Sequence, residues 1–304
     1  MPRITGILAG VARYARETLI IIFSNKKAAV GFLILLGFLL MATIGPLIVE
    51  YPRSYTCEIY LKPTLLQWPP SFEHPLGCDY RGTDIFAQIV WGSPIVLEIA
   101  FIAGIITTLV GIAIGMTAGF IGGRVDSALM VITDVAMTIP GLPLLILLAT
   151  IIRTSNPLVI GLILSVTAWT GLARSIRSQV LSLKNREFIE AALLQGLPWW
   201  RIVFGEIMPN LMSFIAINFI FATIGAVYGS VGLYFLGVLP FTSFNWGIML
   251  NTAYSQAGAL FSLNTIHYIM APIIAIVLLQ TGLVLFSYAV DEIFNPRLRE
   301  RVSK

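Results

Sequence analysis

The sequence predicts an all-α integral membrane protein, and three observations carry that prediction. The 304-residue chain is 57% hydrophobic and only 11% charged, less than half the charged share of a soluble domain. Its apolar residues gather into about six runs long enough to cross a bilayer as helices. Its basic residues crowd onto alternate connections between those runs: 15 of the 19 Lys and Arg fall in the N-terminal lead, the second-to-third connection, the fourth-to-fifth connection or the C-terminal tail. By the positive-inside rule those stretches, and both termini, are cytoplasmic. The expectation is a multi-pass protein of the cell membrane, in contact with lipid. Its net charge of +4 is a topology signal and not a nucleic-acid footprint.

Residues 1–27 read as a cytoplasmic interfacial segment, with Arg13, Arg16 and Lys26 set against Leu8, Leu19 and Ile22. The charged lead is too long for a removable signal, and no small-residue cleavage site closes the apolar run, so it is expected to anchor the chain. The predicted spans are 28–50, 94–120, 128–152, 157–173, 210–237 and 268–290, the fourth being short and partly polar. This divides the chain into the lead, a first transmembrane helix at 28–50, an extracytoplasmic loop at 51–93, a core at 94–290 and a cytoplasmic tail at 291–304. No gap is long enough for a separate soluble domain. The 51–93 loop carries a Pro69-Pro70 bend and both cysteines, Cys57 and Cys78. In an oxidising exterior these form a disulfide or remain two thiols, and spacing alone does not decide. The second outer loop, 238–267, has no Asp, Glu, Lys or Arg. With Trp246, Met249, Leu250, Tyr254 and Phe261, it predicts a short helix lying along the outer membrane face.

Few polar groups enter the spans. Asp134 lies about eight residues into the third, where a charge costs ~2.5–3.5 kcal/mol on insertion scales. Arg174 or Arg177, at the end of the fourth span, would offset that by pairing with it, either as a static pair or as a contact that changes with a gate. Glu98 lies near the outer end of the second span and is expected to reach the headgroups. Pro140-Gly141-Leu142-Pro143 interrupts the third span; such breaks survive where the backbone faces protein or a water-filled cavity. The kink at Pro140 and Pro143 either lines a solute path or only packs. Gly225, Gly229, Gly232 and Gly237 permit close helix contact in the fifth span, across a subunit seam or within the chain.

The longest cytoplasmic connection is the most informative. Residues 183–195 are rich in helix formers. Gly196 suits the left-handed residue that ends a helix, and Pro198 suits the first turn of another. The second helix is expected to run to Met208, with Pro209 marking the turn into span five. Ala192 and Gly196, four apart, offer a small surface for close approach, and Glu190 offers a carboxylate. The alternative is a hairpin resting on the inner leaflet through Trp199 and Trp200.

Glu190-Ala191-Ala192, three residues, Gly196 and then Pro209 resemble the signature of inner-membrane permease subunits of ATP-binding-cassette importers. In that family the hairpin is a coupling helix that docks on the ATPase subunit. Glu206 occupies a position that is usually hydrophobic in the general family pattern, and Met208 replaces a common Leu. His74-Pro75-Leu76-Gly77-Cys78-Asp79, with Arg81, Gly82 and Asp84, resembles the outer-loop motif of the dipeptide/oligopeptide/nickel branch, which usually has Thr at Cys78 and Arg-Asp at Thr83-Asp84. Ala173-Arg174, Leu181-Ser182-Leu183-Lys184, Arg186-Glu187-Phe188, Phe235-Leu236-Gly237, Trp246-Gly247 with Met249-Leu250, and Asn295-Pro296-Arg297-Leu298 also look like that branch. The resemblance runs from Asn25 to Arg299 and favours the second, shorter permease of the pair.

That resemblance implies a transport subunit that is not itself an enzyme. Its implied partners are a homologous second permease, two ATPase subunits that bind ATP and Mg, and an extracytoplasmic solute-binding protein. The implied solutes are peptides, or oligosaccharides or nickel chelates. No phosphate-cradling Gly-x-x-x-x-Gly-Lys-Ser/Thr is present, so no cofactor is expected in this chain. No His-Glu-x-x-His metal site exists either, and His74 and His267 both fall on the outer side. A secondary carrier using Asp134 is the competing reading, but it should show a denser set of intramembrane charges. An intramembrane enzyme should show clustered nucleophile and base residues, and none are visible.

Overall fold

The computed structural model describes residues 16, 18–53, 57, 70–241, 244–256 and 265–294. Arg3, Leu8, Arg13, Lys62, Pro69, Phe261 and the Asn295–Leu298 motif lie outside them. Regular structure among the described residues is helical, apart from one isolated antiparallel bridge between Cys78 and Asp84. Five helices are long and apolar enough to cross a membrane, or six if one bent pair counts as a single span.

Short polar side chains cap the starts of four helices. Asn25 caps α1 (Lys26–Thr43), accepting from the amides of Lys27 and Ala28. A one-turn α2 (Gly45–Ile48) follows. Asp84 caps α3 (Ile85–Ile121) through a 2.9 Å bond from the Ala87 amide. Each cap satisfies donors that a helix N-terminus otherwise leaves unpaired. The core therefore begins at Ile85, not at 94, and the outer loop is shorter than the apolar run alone suggests. Pro94 sits inside α3 without ending it.

α4 (Gly123–Thr138) and α5 (Gly141–Ile152) form the bent pair, turned 81° at the break. Pro140 is the cap residue of α5, and Pro143 falls in its first turn, where a missing N–H does no harm. The predicted interruption is thus a sharp corner. α6 (Pro157–Lys184) is capped by Asn156 and carries proline at its first position. It is much longer than the predicted 157–173, because the polar stretch after Ala173 continues the helix out of the apolar zone.

α7 (Glu187–Leu194) is the first hairpin helix and α8 (Trp199–Arg201) opens the second. A π-turn over Ile202–Ile207 then joins α9 (Met208–Phe235) without a break. Pro209 therefore does not mark a turn between helices. It lies in the first turn after the π segment, whose wider winding accommodates a ring that would strain against the carbonyl four residues earlier. α10 (Trp246–Ser255) is capped by Asn245, and α11 (Ile266–Phe294) closes the described chain.

α3 is the hub: it packs along α6 and α9 and touches α1, α10 and α11. Its seam with α6 is made by Gly111, Gly115 and Gly119, one per turn. A Cβ on Gly115 would lie 2.5 Å from the Ala173 carbonyl oxygen, and one on Gly119 would lie 2.8 Å from Val180. Small residues at that spacing let helix backbones approach closely in lipid. The short helix expected in the second outer loop forms as α10, with Trp246 and Met249 turned into the bundle and Tyr254 left exposed. Trp246 is fully buried and its indole Nε1 donates to the Ile89 carbonyl of α3 (3.1 Å), while Met249 is buried beside it. At the opposite end, Ile22 packs with Ala28 and Ala289. There Asn25 also bonds Glu292 (2.5 Å), closing the start of α1 against the end of α11.

Candidate functional site

The hairpin is fixed to the bundle by its inner face. Ile189 and Ala192 of α7 are buried against Ile202, Val203 and Ile207 of the π-turn, in a cluster that continues to Ile176 and Val180 of α6. Ala192 thus packs inward rather than offering a surface to a partner; it is small because the π-turn lies beneath it. The turn out of α7 forms two nested bonds, from the Gly196 amide to the Leu193 carbonyl (3.0 Å) and from the Leu197 amide to the Ala192 carbonyl (3.2 Å). This pattern requires a left-handed residue at Gly196, whose φ is +71°. Lys184 ties the base of the hairpin to α3, its Nζ donating to the Phe120 carbonyl at 2.7 Å.

What remains outside is apolar with an acidic start. Glu187 and Glu190 stand in the first turn of α7, where a helix N-terminus favours negative charge. Leu193 is half exposed, and Leu194 is 90% exposed at the tip. Trp199, Trp200 and Phe204 are exposed on the second limb. Glu190, Ala191 and Gly196 lie on this outer surface, whereas Pro209 lies along the helix behind it.

The charges near the hairpin form a two-rung ladder between α4 and α6. Arg174 Nη2 donates to Asp134 Oδ1, and both side chains are about half exposed. Arg177 does not share Asp134. It holds Asp126 through two bonds, Nε to Oδ1 at 2.5 Å and Nη2 to Oδ2 at 2.6 Å. Such a fork is the stronger arrangement. α4 and α6 run antiparallel, so the earlier aspartate meets the later arginine. That ordering was available in the sequence, but Asp126 lay outside the predicted span and was missed. Neither Pro140 nor Pro143 borders the nearby cavity of about 390 Å³; Leu145, Thr107, Thr167 and Asn218 do.

The described outer turn is held covalently and by polar contacts. Cys57 and Cys78 are joined in a disulfide with a Cα–Cα distance of 6.6 Å. His74 has a ring nitrogen near both sulfurs, but sulfurs bonded to each other are not thiolate ligands for a metal. His74 Nδ1 instead lies 2.6 Å from Asp84 Oδ2, joining the turn to the α3 cap.

Comparison with known proteins agrees with this arrangement. Residues 111–300 match the family described as binding-protein-dependent transport system inner membrane component. Residues 13–69 match the N-terminal TM domain of oligopeptide transport permease C. The dipeptide transport system permease protein DppC of Bacillus subtilis (strain 168) is 36% identical over 230 residues, covering 75% of this chain and 69% of that protein. The oligopeptide transport system permease protein OppC of the same organism is 33% identical over 227 residues, covering 74% and 72%. The protein of that name from Haemophilus influenzae is 31% identical over 240 residues, covering 77% and 75%. These matches displace the secondary-carrier alternative, and the half-exposed Asp134, already paired, lends it no support. In this family ATP hydrolysis belongs to separate subunits, and solute reaches the membrane on a binding protein. The chain belongs to the family of inner-membrane permease components of binding-protein-dependent, ATP-driven importers.

Proposed function

We propose that this permease forms half of a translocation path for short peptides and is driven through the hairpin at 183–209. The observation that carries the docking assignment is the two-faced α7. One face is buried in the chain's own bundle, and the other presents Leu193 and Leu194 beside an acidic first turn. An apolar knob on a braced helix can enter a groove on a partner, and the bracing lets a push at the tip move α6 and α9 together. ATP and Mg are bound by the ATPase subunits, and this chain holds no cofactor of its own. A homologous second permease supplies the other half of the path. Gly225 and Gly232 of α9 fit such a seam, since a Cβ at either meets nothing within 4 Å.

The peptide assignment is supported by the relatives named for dipeptide and oligopeptide transport. Oligosaccharides and nickel chelates are the competing solutes. The hairpin and both termini are cytoplasmic in this reading, because the basic residues gather there. Uptake into proteoliposomes holding the assembled importer, with its binding protein outside and ATP inside, tests both parts. Di- and tripeptides should accumulate in preference to maltooligosaccharides or nickel–histidine. Leu194→Asp should reduce uptake and solute-stimulated ATP hydrolysis at least tenfold while the subunit still inserts. Normal uptake by Leu194→Asp would sink the docking assignment.

A further inference from the structure

At the end of the bundle opposite the hairpin lies a cavity of about 440 Å³, walled by the outer turn, α3, α10 and the start of α11. Its polar groups are unequally engaged. Asp79, almost fully buried, accepts from the amides of Arg81 (2.8 Å) and Thr83 (2.9 Å) through Oδ1, and from Gln88 Nε2 (2.9 Å) through Oδ2. Thr252 and Tyr268 share a bond between their hydroxyls. The donors are less well matched. Asn245 is wholly buried, and its Oδ1 is fixed by the Gly247 amide in capping α10 (2.8 Å). Its Nδ2 has no partner among the described residues. The Arg81 guanidinium lies beside the Tyr80 ring, 5.1 Å from its centroid, and no carboxylate among the described residues pairs with it.

A buried amide donor held rigidly without an acceptor is a costly feature unless a ligand supplies one. The Asp79 carboxylate already accepts three hydrogen bonds from the protein, while an amide donor and a guanidinium remain. The complementary ligand is therefore an anion with a second acceptor close by and an apolar body to lie on Phe244 and Met249. We propose that this cavity binds small solutes ending in a free carboxylate, Arg81 taking the carboxylate and Asn245 Nδ2 the neighbouring carbonyl. A peptide C-terminus has both groups, so the inference builds on the peptide reading above. It makes the outer mouth of this subunit a station that reads the carboxyl end of a delivered solute.

The test uses the assembled importer in nanodiscs without its binding protein, titrated with radiolabelled alanyl-phenylalanine, its C-terminal amide, and N-acetyl-phenylalanine. The two free carboxylates should bind at least tenfold more tightly than the amide. Arg81→Gln should erase that preference. Asn245→Asp keeps an oxygen to cap α10 but replaces the donor with an acceptor, and should weaken all three ligands; unchanged thermal unfolding would separate this from misfolding. Equal binding of acid and amide by the wild type, or an unchanged preference in Arg81→Gln, would overturn the proposal. So would binding of none of the three while Arg81→Gln weakens capture of the binding protein, because the cavity would then be a protein-docking pocket. Peptide uptake is measured in parallel. Failure of the wild type to import peptides defeats the solute assignment alone, since N-acetyl-phenylalanine still reports on the cavity.

Discussion

A methyl group at Gly196 would meet no atom within 4 Å, so the position demands a backbone conformation and not space. Its φ of +71° disfavours any side chain by roughly 1–2 kcal/mol. Gly196→Ala should therefore speed hydrogen exchange at Leu193–Leu197 yet leave most uptake. Gly196→Arg adds bulk on the outer surface and should abolish solute-stimulated ATP hydrolysis. Equal defects in the two variants would mean that strain alone explains the loss. Gly196 was legible in the sequence because a run of helix formers, a glycine and a proline each dictate local backbone. Ala192 was not, since only its packing on Ile202 and Ile207 distinguishes an inward alanine from an outward one. The cysteines were legible as a choice between two states. The disulfide closes a loop with a sequence separation of 21, so its loss should cost about 3 kcal/mol in the chain-entropy account. Protein kept from reductant should leave Cys57 and Cys78 unlabelled by a thiol reagent, and both should label after reduction and unfolding.

At the scale of elements, length and hydropathy gave the existence of the spans but not where their helices end. α6 runs on through Arg174, Arg177 and Lys184 because their charges pair with or reach Asp134, Asp126 and the Phe120 carbonyl. Trp246 of α10 turns inward, where its ring packs beside Phe38 and its indole donates to the Ile89 carbonyl. Neither fact resides in a local window. Continuity through Pro209 was equally hidden, since it depends on a π-turn. The glycine seam of α3 and α6 gives a direct energetic test. In Gly115→Ala the new methyl would abut the Ala173 carbonyl oxygen, which belongs to a rigid helix and cannot swing away. Overpacking of this kind typically costs 1–3 kcal/mol, so the permease should unfold at a lower temperature in detergent. Gly225→Ala meets open space and should leave the isolated chain unchanged, though it should weaken assembly if α9 faces the second permease. Identical melting of Gly115→Ala and wild type would argue against this close approach of the helices.

For the whole molecule, the basic-residue asymmetry predicts an orientation, with the hairpin and both termini in the cytoplasm. The structure adds a polarity along the bundle. The disulfide-held turn, the 440 Å³ cavity and α10 lie at one end, and the hairpin with Lys184 lies at the other. In the proposed mechanism solute arrives at the first and ATP-driven force at the second, so the two ends should face different compartments. Single cysteines introduced at Phe72 and Arg186, in a background lacking Cys57 and Cys78, separate the ends, since both side chains are exposed. An impermeant thiol reagent on intact cells should label Phe72→Cys. It should label Arg186→Cys only after lysis, and Arg124→Cys, beside the start of α4, should behave like Arg186→Cys. Labelling of Arg186→Cys from outside would put the hairpin beyond reach of any cytoplasmic ATPase, and the coupling mechanism would fail with it. Protection of Phe72→Cys in intact cells would instead put the cavity out of reach of a solute delivered from outside.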